Sequence, residues 1–303
     1  MVRTFEWIWE EYHEGKEGEL RWSQGQFYLW LRSTGSSFWI SGMPDSGKST
    51  LVSKIQDDQR TCEALFTWLN DRKLHILSFF FFHSGSTLQK SLQGLVRSLL
   101  HQLASITPAA NAFTRAARAK HDGEWETHDL IPILREILSA LSAECVFLMV
   151  DGLDECDETD QDNLLELILD SQHLDYVKIC VSSRPNPRIS AALYGIPHLT
   201  VQDFTAKDIE IYVSAMLGPC EGIFTHQTAL IRTITSTVIQ KADGNFSWAV
   251  STVVSVLNGL EEGDDGELLR SRLMLALTDN FWKPMTHKQL TKESQLPIIT
   301  RID

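Results

Sequence analysis

The 303 residues are enough for about two domains with a sizeable core, and 43% hydrophobic with 22% charged residues exclude an intrinsically disordered chain. Asp plus Glu number 40 against 27 Lys plus Arg, and the diffuse net charge of −13 argues against a general nucleic-acid binder. No apolar run approaches the roughly 18 residues of a membrane span. Five scattered cysteines (Cys62, Cys145, Cys156, Cys180, Cys220) without a CxxC pair fit a soluble protein in a reducing, cytoplasmic setting.

Residues 1–37 read as a helical lead-in. They hold Trp7, Trp9, Trp22 and Trp30, and Phe27, Trp30 and Leu31 fall at i, i+3, i+4, an apolar stripe for a neighbouring domain or a partner. From Phe38 the pattern becomes strand–turn–helix. Phe38–Ile40 is a short strand, followed by a Gly-rich turn and a helix through Leu51, Val52 and Ile55. His75–Phe82, with four consecutive Phe, reads as a strand buried on both faces. Ser91–Leu103 and Leu130–Leu141 have helical spacing, the second with Pro132 in its first turn. Cys145–Val150 is an apolar strand, Leu164–Leu169 a helix, and Val177–Ser182 and His198–Val201 are strands. This alternation predicts an α/β fold, three-layered, with a mainly parallel sheet over residues 38–203. Residues 204–278 predict a small helical subdomain with helices at Ala206–Leu217, Leu230–Ala242, Asn245–Leu257 and Leu268–Leu277. Residues 279–303 read as a weakly ordered tail in which His287 is solvated. No histidine has ligand spacing, so no zinc is expected.

Gly42-Met43-Pro44-Asp45-Ser46-Gly47-Lys48-Ser49 matches the phosphate-loop pattern GxxxxGK[ST] and lies between an apolar strand and an apolar-periodic helix. In such a loop successive backbone N–H groups point inward and the following helix presents its positive end to the phosphates. Gly42, Pro44, Asp45, Ser46, Gly47, Lys48, Ser49 and Thr50 are therefore the candidate nucleotide-binding residues. Lys48 supplies a charge to the β/γ-phosphates and Ser49 a hydroxyl for Mg²⁺. The strand Val146–Val150 delivers Asp151 at its carboxyl end, the Walker B arrangement that places a second Mg²⁺ ligand. Asp154 and Glu155 follow within a turn as candidates to orient water or complete the metal shell. Three carboxylates so close repel one another, itself a reason to expect a cation among them. Since Asp157, Glu158 and Asp160 continue the acidic run, part of it is solvated surface. A third strand ends in Ser182-Ser183-Arg184-Pro185, which brings Ser183 and Arg184 to the same rim, within reach of a γ-phosphate that Arg184 would sense; capping a loop is the alternative role of Arg184.

Together these elements resemble the NACHT-type, STAND-class P-loop NTPases, specifically the fungal NOD-like proteins and the nephrocystin-type P-loop domain. The resemblance rests on Phe38–Gly42 running into the loop, the Phe-rich strand before His83, Ser91–Leu103, the block Asp151-Gly152-Leu153-Asp154-Glu155, Lys178–Pro185 and Lys241–Ala249. Thr4-Phe5-Glu6-Trp7 resembles the family's lead-in. The resemblance implies an ATP- or GTP-driven conformational switch, active as an oligomer in cell-death or nonself-recognition signalling. It implies phosphates at Gly42–Thr50, Mg²⁺ at Ser49 and Asp151, hydrolysis at Asp154 and Glu155, and sensing at Arg184.

The sequence departs from the family pattern at Asp45, where members commonly have Gly. A carboxylate pointing inward there weakens binding or hastens release; one pointing outward changes little. No effector domain, repeat array or winged-helix module is legible in this text. Two readings stay open: a switch NTPase that hydrolyses slowly, forming homo-oligomers, and an adaptor or decoy that associates with full-length NOD-like proteins with negligible turnover. A kinase needs an acceptor lid that no motif supplies, and the acid excess disfavours a DNA-handling ATPase.

Overall fold

The computed structural model describes residues 4–10, 19–104, 106, 111, 114–115 and 125–278, with the side chains of residues 19–24, 277 and 278 excepted. The expected tail 279–303, with His287, lies outside them, as does the Trp22 side chain. The described chain divides into two units, Phe5–Phe204 and a second that begins at Thr205.

Five strands form the first unit's sheet: β1 (Ser37–Ser41), β2 (Lys73–Phe80), β3 (Glu144–Asp151), β4 (Val177–Ser183) and β5 (His198–Thr200). Their order is β2-β3-β4-β1-β5 and every pairing is parallel. The α/β alternation read from the sequence is the observed architecture. Around the sheet lie α1 (Glu19–Arg32), α2 (Lys48–Asp57), α3 (Gln59–Leu69), α4 (Leu92–Leu103), α5 (Thr127–Ala140), α6 (Gln161–Ser171) and the short α7 (Pro187–Ala192).

β3 is buried from Cys145 to Asp151, and its pleat sorts side chains to two apolar layers. Val146, Leu148 and Val150 share a layer with Leu95 and Leu99 of α4 and Leu134 and Leu138 of α5. On the opposite face Phe147 lies 6.1 Å, ring to ring, from Trp30 of α1. A central strand covered on both sides has no polar alternation to display, which is why β3 reads as a continuous apolar run.

Three expectations change. β2 is an edge strand with β3 as its neighbour, so Phe79 and Phe80 are only half-buried while Leu77 and Phe81 carry the burial. A run of Phe therefore marked a sheet edge covered by helix and loop, not a central strand. Helix α5 starts at Thr127, behind a capping box of Glu126 and Asp129, which places Pro132 in the second turn, where the His128 carbonyl loses its helical donor. α3 was not anticipated, although Thr61, Ala64, Leu65 and Trp68 are buried at i, i+3, i+4, i+7 and Asp58 caps its start.

The Phe27–Trp30–Leu31 stripe of α1 is buried against the chain's own sheet: Phe27 and Trp30 lie 5.2 and 5.3 Å from Phe38 of β1. Before it a 3₁₀ turn, Glu6–Trp9, buries Trp7, Ile8 and Trp9.

The second unit is helical: α8 (Gln202–Ile223, whose first turn belongs to the first unit), α9 (Thr228–Lys241), α10 (Phe246–Glu262) and α11 (Gly266–Thr278). α8 continues past the expected stop at Leu217 and through Pro219, because Val213, Leu217 and Cys220 fall on one buried stripe. Among the described residues no helix is long and apolar enough to cross a membrane.

One core residue is a cation. Lys178 of β4 is fully buried; its Nζ donates to the carbonyls of Trp30 (2.8 Å) and Gly35 (2.6 Å) and lies over the rings of Trp30 and Trp68. The carbonyl at the end of α1 and two indole faces replace part of its lost hydration. Burial still lowers its pKa to about 7.

Truncating Leu148 to Ala should lower stability by about 2–5 kcal/mol in urea denaturation, the cost of a cavity in the layer under α4 and α5. Lys178 predicts a pH dependence. Its folded-state pKa lies below the unfolded value near 10.4, so the native state binds fewer protons between the two, and the stability this group contributes is present at high pH and lost as pH falls through about 7. The unfolding free energy should rise across this window more steeply in the wild type than in Lys178→Met; equal slopes would show that the buried amine does not titrate there.

Candidate functional site

The phosphate loop joins β1 to α2 at the carboxyl rim of the sheet, and β4 lies between β1 and the acid-bearing β3. The Gly42 N–H donates to the Ser183 carbonyl at 3.2 Å, tying the loop to β4. Gly42 has no room for a side chain, since a Cβ there would meet Ser46 Oγ at 2.7 Å. Gly47 has φ 91°, the left-handed turn that lets α2 begin at Lys48. The N–H groups of Lys48, Ser49 and Thr50 consequently have no acceptor within α2 and open toward the rim. The Ser46 hydroxyl is buried without a hydrogen-bond partner among the described residues. A cradle closed to side chains, with free N–H groups and an orphaned hydroxyl, fits a phosphate chain.

Lys48 Nζ donates to the carbonyls of Gly42 (2.8 Å) and Met43 (2.7 Å). Burial lowers its pKa, while the carboxylates of Asp154 and Asp151 act in the opposite direction. Met43, Pro44, Ser49 and Thr50 form the loop's exposed lip.

Asp151 is only 3% exposed. It accepts from the Ser182 hydroxyl, whose oxygen in turn accepts the Gly152 N–H at 3.1 Å, and the Ser49 hydroxyl acts on it from the start of α2. Burial pushes its pKa up, and the two hydroxyls and Lys48 oppose that. The structure thus joins Ser49 and Asp151, the two residues expected to hold Mg²⁺.

The other two carboxylates turn elsewhere. Asp154 accepts the Arg184 backbone N–H at 2.8 Å and lies 3.3 Å from its Nε. Glu155 accepts the His83 N–H at 2.9 Å. Among the described residues no three His, Cys, Asp or Glu side chains converge as a metal cluster. Asp154 and Glu155 thus each have a partner of their own on the rim, while Asp151 is held by hydroxyls. Such a sparse donor set suits Mg²⁺, which is bound by one or two protein ligands together with phosphates and water.

Asp45 is half-buried within the loop. Its backbone is left-handed (φ 65°), the conformation for which glycine is favoured and Asp tolerated. The charges acting on it belong to Arg184, Lys48 and Glu155. Burial, the largest influence, pushes its pKa up to about 6, against the pull of the two cations and together with the repulsion of Glu155.

Several positioning residues were not foreseen. Ser182 was readable in principle, since alternation along β4 puts Lys178, Cys180 and Ser182 on one face, and the register sets Met149 opposite Cys180. Trp39 Nε1 donates to Ser183 Oγ at 2.9 Å. Gln202 Oε1 accepts the Met43 N–H at 3.0 Å; nothing in the sequence ties a glutamine 159 positions away to the loop.

The family described as "Nephrocystin 3, N-terminal" matches residues 18–184. The vegetative incompatibility protein HET-E-1 of Podospora anserina is 30% identical over 161 residues, which are 51% of this chain and 11% of that protein, so the chain spans about a tenth of this relative's length. Among solved structures, Drosophila ORC bound to DNA gives a TM-score of 0.44 at 12% identity over 87% of this chain and 69% of that one. Cdc6p of Pyrobaculum aerophilum gives 0.38 at 11% identity over 85% and 66%. The family match extends over more than half of the sequence and takes in the phosphate loop, the strand ending at Asp151, and β4 through Arg184; the chain belongs to the nephrocystin 3 N-terminal family.

Proposed function

We propose that this chain is a signalling NTPase domain that binds ATP or GTP with Mg²⁺ and hydrolyses it slowly, coupling the bound state to a change of conformation and self-association in fungal nonself recognition or cell death. The observation that carries the reading is Asp151, buried and held by the Ser182 hydroxyl, at the mouth of a phosphate loop whose first helical turn presents free N–H groups. The vegetative incompatibility name of a relative supports the signalling context.

In this reading the loop N–H groups bind the α- and β-phosphates, and Lys48 leaves the Gly42 and Met43 carbonyls to reach the β/γ end. Ser49 and Asp151 hold Mg²⁺, which when bound offsets phosphate charge. Glu155, fixed through the His83 N–H, orients the attacking water. Arg184 exchanges Asp154 for the terminal phosphate, which makes the pair a reporter of occupancy.

The adaptor reading, association with full-length NOD-like relatives and negligible turnover, is favoured by one observation: a half-buried carboxylate, Asp45, within the phosphate loop itself.

Titration with fluorescent ATP and GTP analogues should show Mg²⁺-dependent binding that Lys48→Ala abolishes; equal binding by that variant would overturn the site. Glu155→Gln should keep binding and lose turnover by about 10²–10⁴-fold, as expected for loss of a general base. Under the adaptor reading it changes nothing. Ser182→Ala removes the hydroxyl that fixes Asp151 and should raise the Mg²⁺ concentration needed for half-maximal binding by roughly ten-fold, the scale of losing an outer-shell partner.

A further inference from the structure

Gln202 joins the end of β5 to the phosphate loop, and the role inferred for it rests on the nucleotide-site reading. β5 pairs with β1, Thr200 opposite Ser41, and the ladder closes where the Val201 N–H donates to the Ser41 carbonyl at 2.8 Å. Gln202, the first residue of α8, therefore emerges beside the start of the loop. Its backbone is held on both sides, since Val201 before it is fully buried and Phe204 after it is stacked on Trp7. From there Oε1 accepts the Met43 N–H at 3.0 Å and lies against Gly42, where a Cβ would meet it at 3.1 Å.

The Gly42 carbonyl and the Met43 N–H belong to one trans peptide and point opposite ways. Lys48 Nζ holds the carbonyl at 2.8 Å and Gln202 holds the N–H, so the peptide is gripped from both sides. Nucleotide binding releases one grip, because Lys48 leaves the Gly42 and Met43 carbonyls for the phosphates. The Gly42 N–H bond to Ser183 fixes only the preceding peptide, and glycine offers little resistance to rotation of the following one.

We propose that Gln202 is a positioning residue for nucleotide binding: its carboxamide oxygen keeps the Gly42–Met43 peptide in place while Lys48 changes partners, so that the loop stays open around the phosphates. The Met43 N–H is committed to this bond, and the N–H groups at the start of α2 are the ones left for phosphate. Without the bond the peptide gains orientations that do not fit the nucleotide, and affinity falls by the fraction of loops no longer competent.

The test uses the full chain and two readouts: hydrogen exchange at the Met43 amide, followed by NMR, and titration with a non-hydrolysable fluorescent ATP or GTP analogue in Mg²⁺. Gln202→Leu removes the acceptor and keeps helix propensity, Gln202→Glu keeps an acceptor oxygen, and Lys48→Ala runs beside them. In the wild type the Met43 amide should stay protected when nucleotide saturates the site. In Gln202→Leu it should exchange faster with the amides of β1 and α2 unchanged, and the dissociation constant should rise about five-fold, the worth of one ordinary hydrogen bond. Gln202→Glu should restore the Met43 protection; its added charge bears on affinity, so it is judged on exchange alone. Equal Met43 exchange in the wild type and Gln202→Leu, an unchanged dissociation constant, no restoration by Gln202→Glu, or loss of wild-type protection on binding overturns the role. Faster exchange throughout β1 and α2 in Gln202→Leu makes Gln202 a general structural residue and overturns it as well. In each of these cases the nucleotide site stands if Lys48→Ala abolishes binding. If the wild type binds no nucleotide, or Lys48→Ala binds like the wild type, the nucleotide-site reading falls and the role of Gln202 with it.

Discussion

The position of β4 between β1 and β3 is the constraint on which the site depends. β1 carries the phosphate loop and β3 carries Asp151, yet the two do not touch; each is paired in parallel to β4. Backbone N–H and C=O groups in a buried sheet must find partners, so the two ladders allow little freedom in register. Ser183 accepts the loop's first N–H through its carbonyl, and Ser182 connects Gly152 and Asp151 through its hydroxyl. Two adjacent serines thus place the loop and the acid relative to each other. Burial of Asp151 serves the same end, because a carboxylate fixed by hydroxyls and short of full solvation is ready for a cation.

Much of this was legible, for reasons that differ by element. The phosphate loop is readable because its chemistry needs Gly, Lys and Ser at fixed separations, so spacing alone specifies it. β3 is readable because a strand covered on both faces is apolar along its length. The same rule misled at β2, where four Phe serve one half-covered edge: composition reports how much apolar surface is buried somewhere, not how many strands flank it. α3 escaped although its burial repeats with helical period, because a polar start, Gln59-Arg60, and the adjacent end of α2 blur the boundary between the two helices. At the site, spacing identified the acids but not their partners. Asp154 with Arg184, Glu155 with His83 and Met43 with Gln202 are contacts across the sheet rim, and no local pattern encodes them.

Lys178 and Asp45 both lose hydration to their surroundings, and they are compensated differently. Lys178 lies at the base of the sheet with two carbonyls and two indoles about it, so its cost is met by fixed dipoles. That arrangement joins the end of α1 to β4. Asp45 has no such compensation. It sits in a backbone conformation that glycine adopts more easily, and its favourable charges are those a phosphate would use. Strain and desolvation at one position of a binding loop, where a smaller residue removes both, are hard to attribute to stability; they point to an effect on what the loop binds.

The N-terminal 3₁₀ turn shows how the loop's helix is held at its far end. Glu6 accepts from Lys54 of α2 at 2.7 Å and from Arg60 of α3 at 2.8 Å, and Arg60 lies over the Trp9 ring. These ion pairs are partly exposed, and such pairs contribute at most about 1 kcal/mol each. Burial of Trp7, Ile8 and Trp9, with Trp7 stacked on Phe204 at 4.6 Å, removes far more apolar surface from water. The aromatic residues therefore supply the attachment and the charges supply its direction. Since α2 begins at Lys48 and Lys54 lies two turns on, the Glu6 contact limits how far the helix can turn about its axis when Lys48 and Ser49 take up new partners. A phosphate loop works by presenting N–H groups along a fixed helix axis, and here that axis is held by the loop's bond to β4 at one end and by the tryptophan-anchored turn at the other.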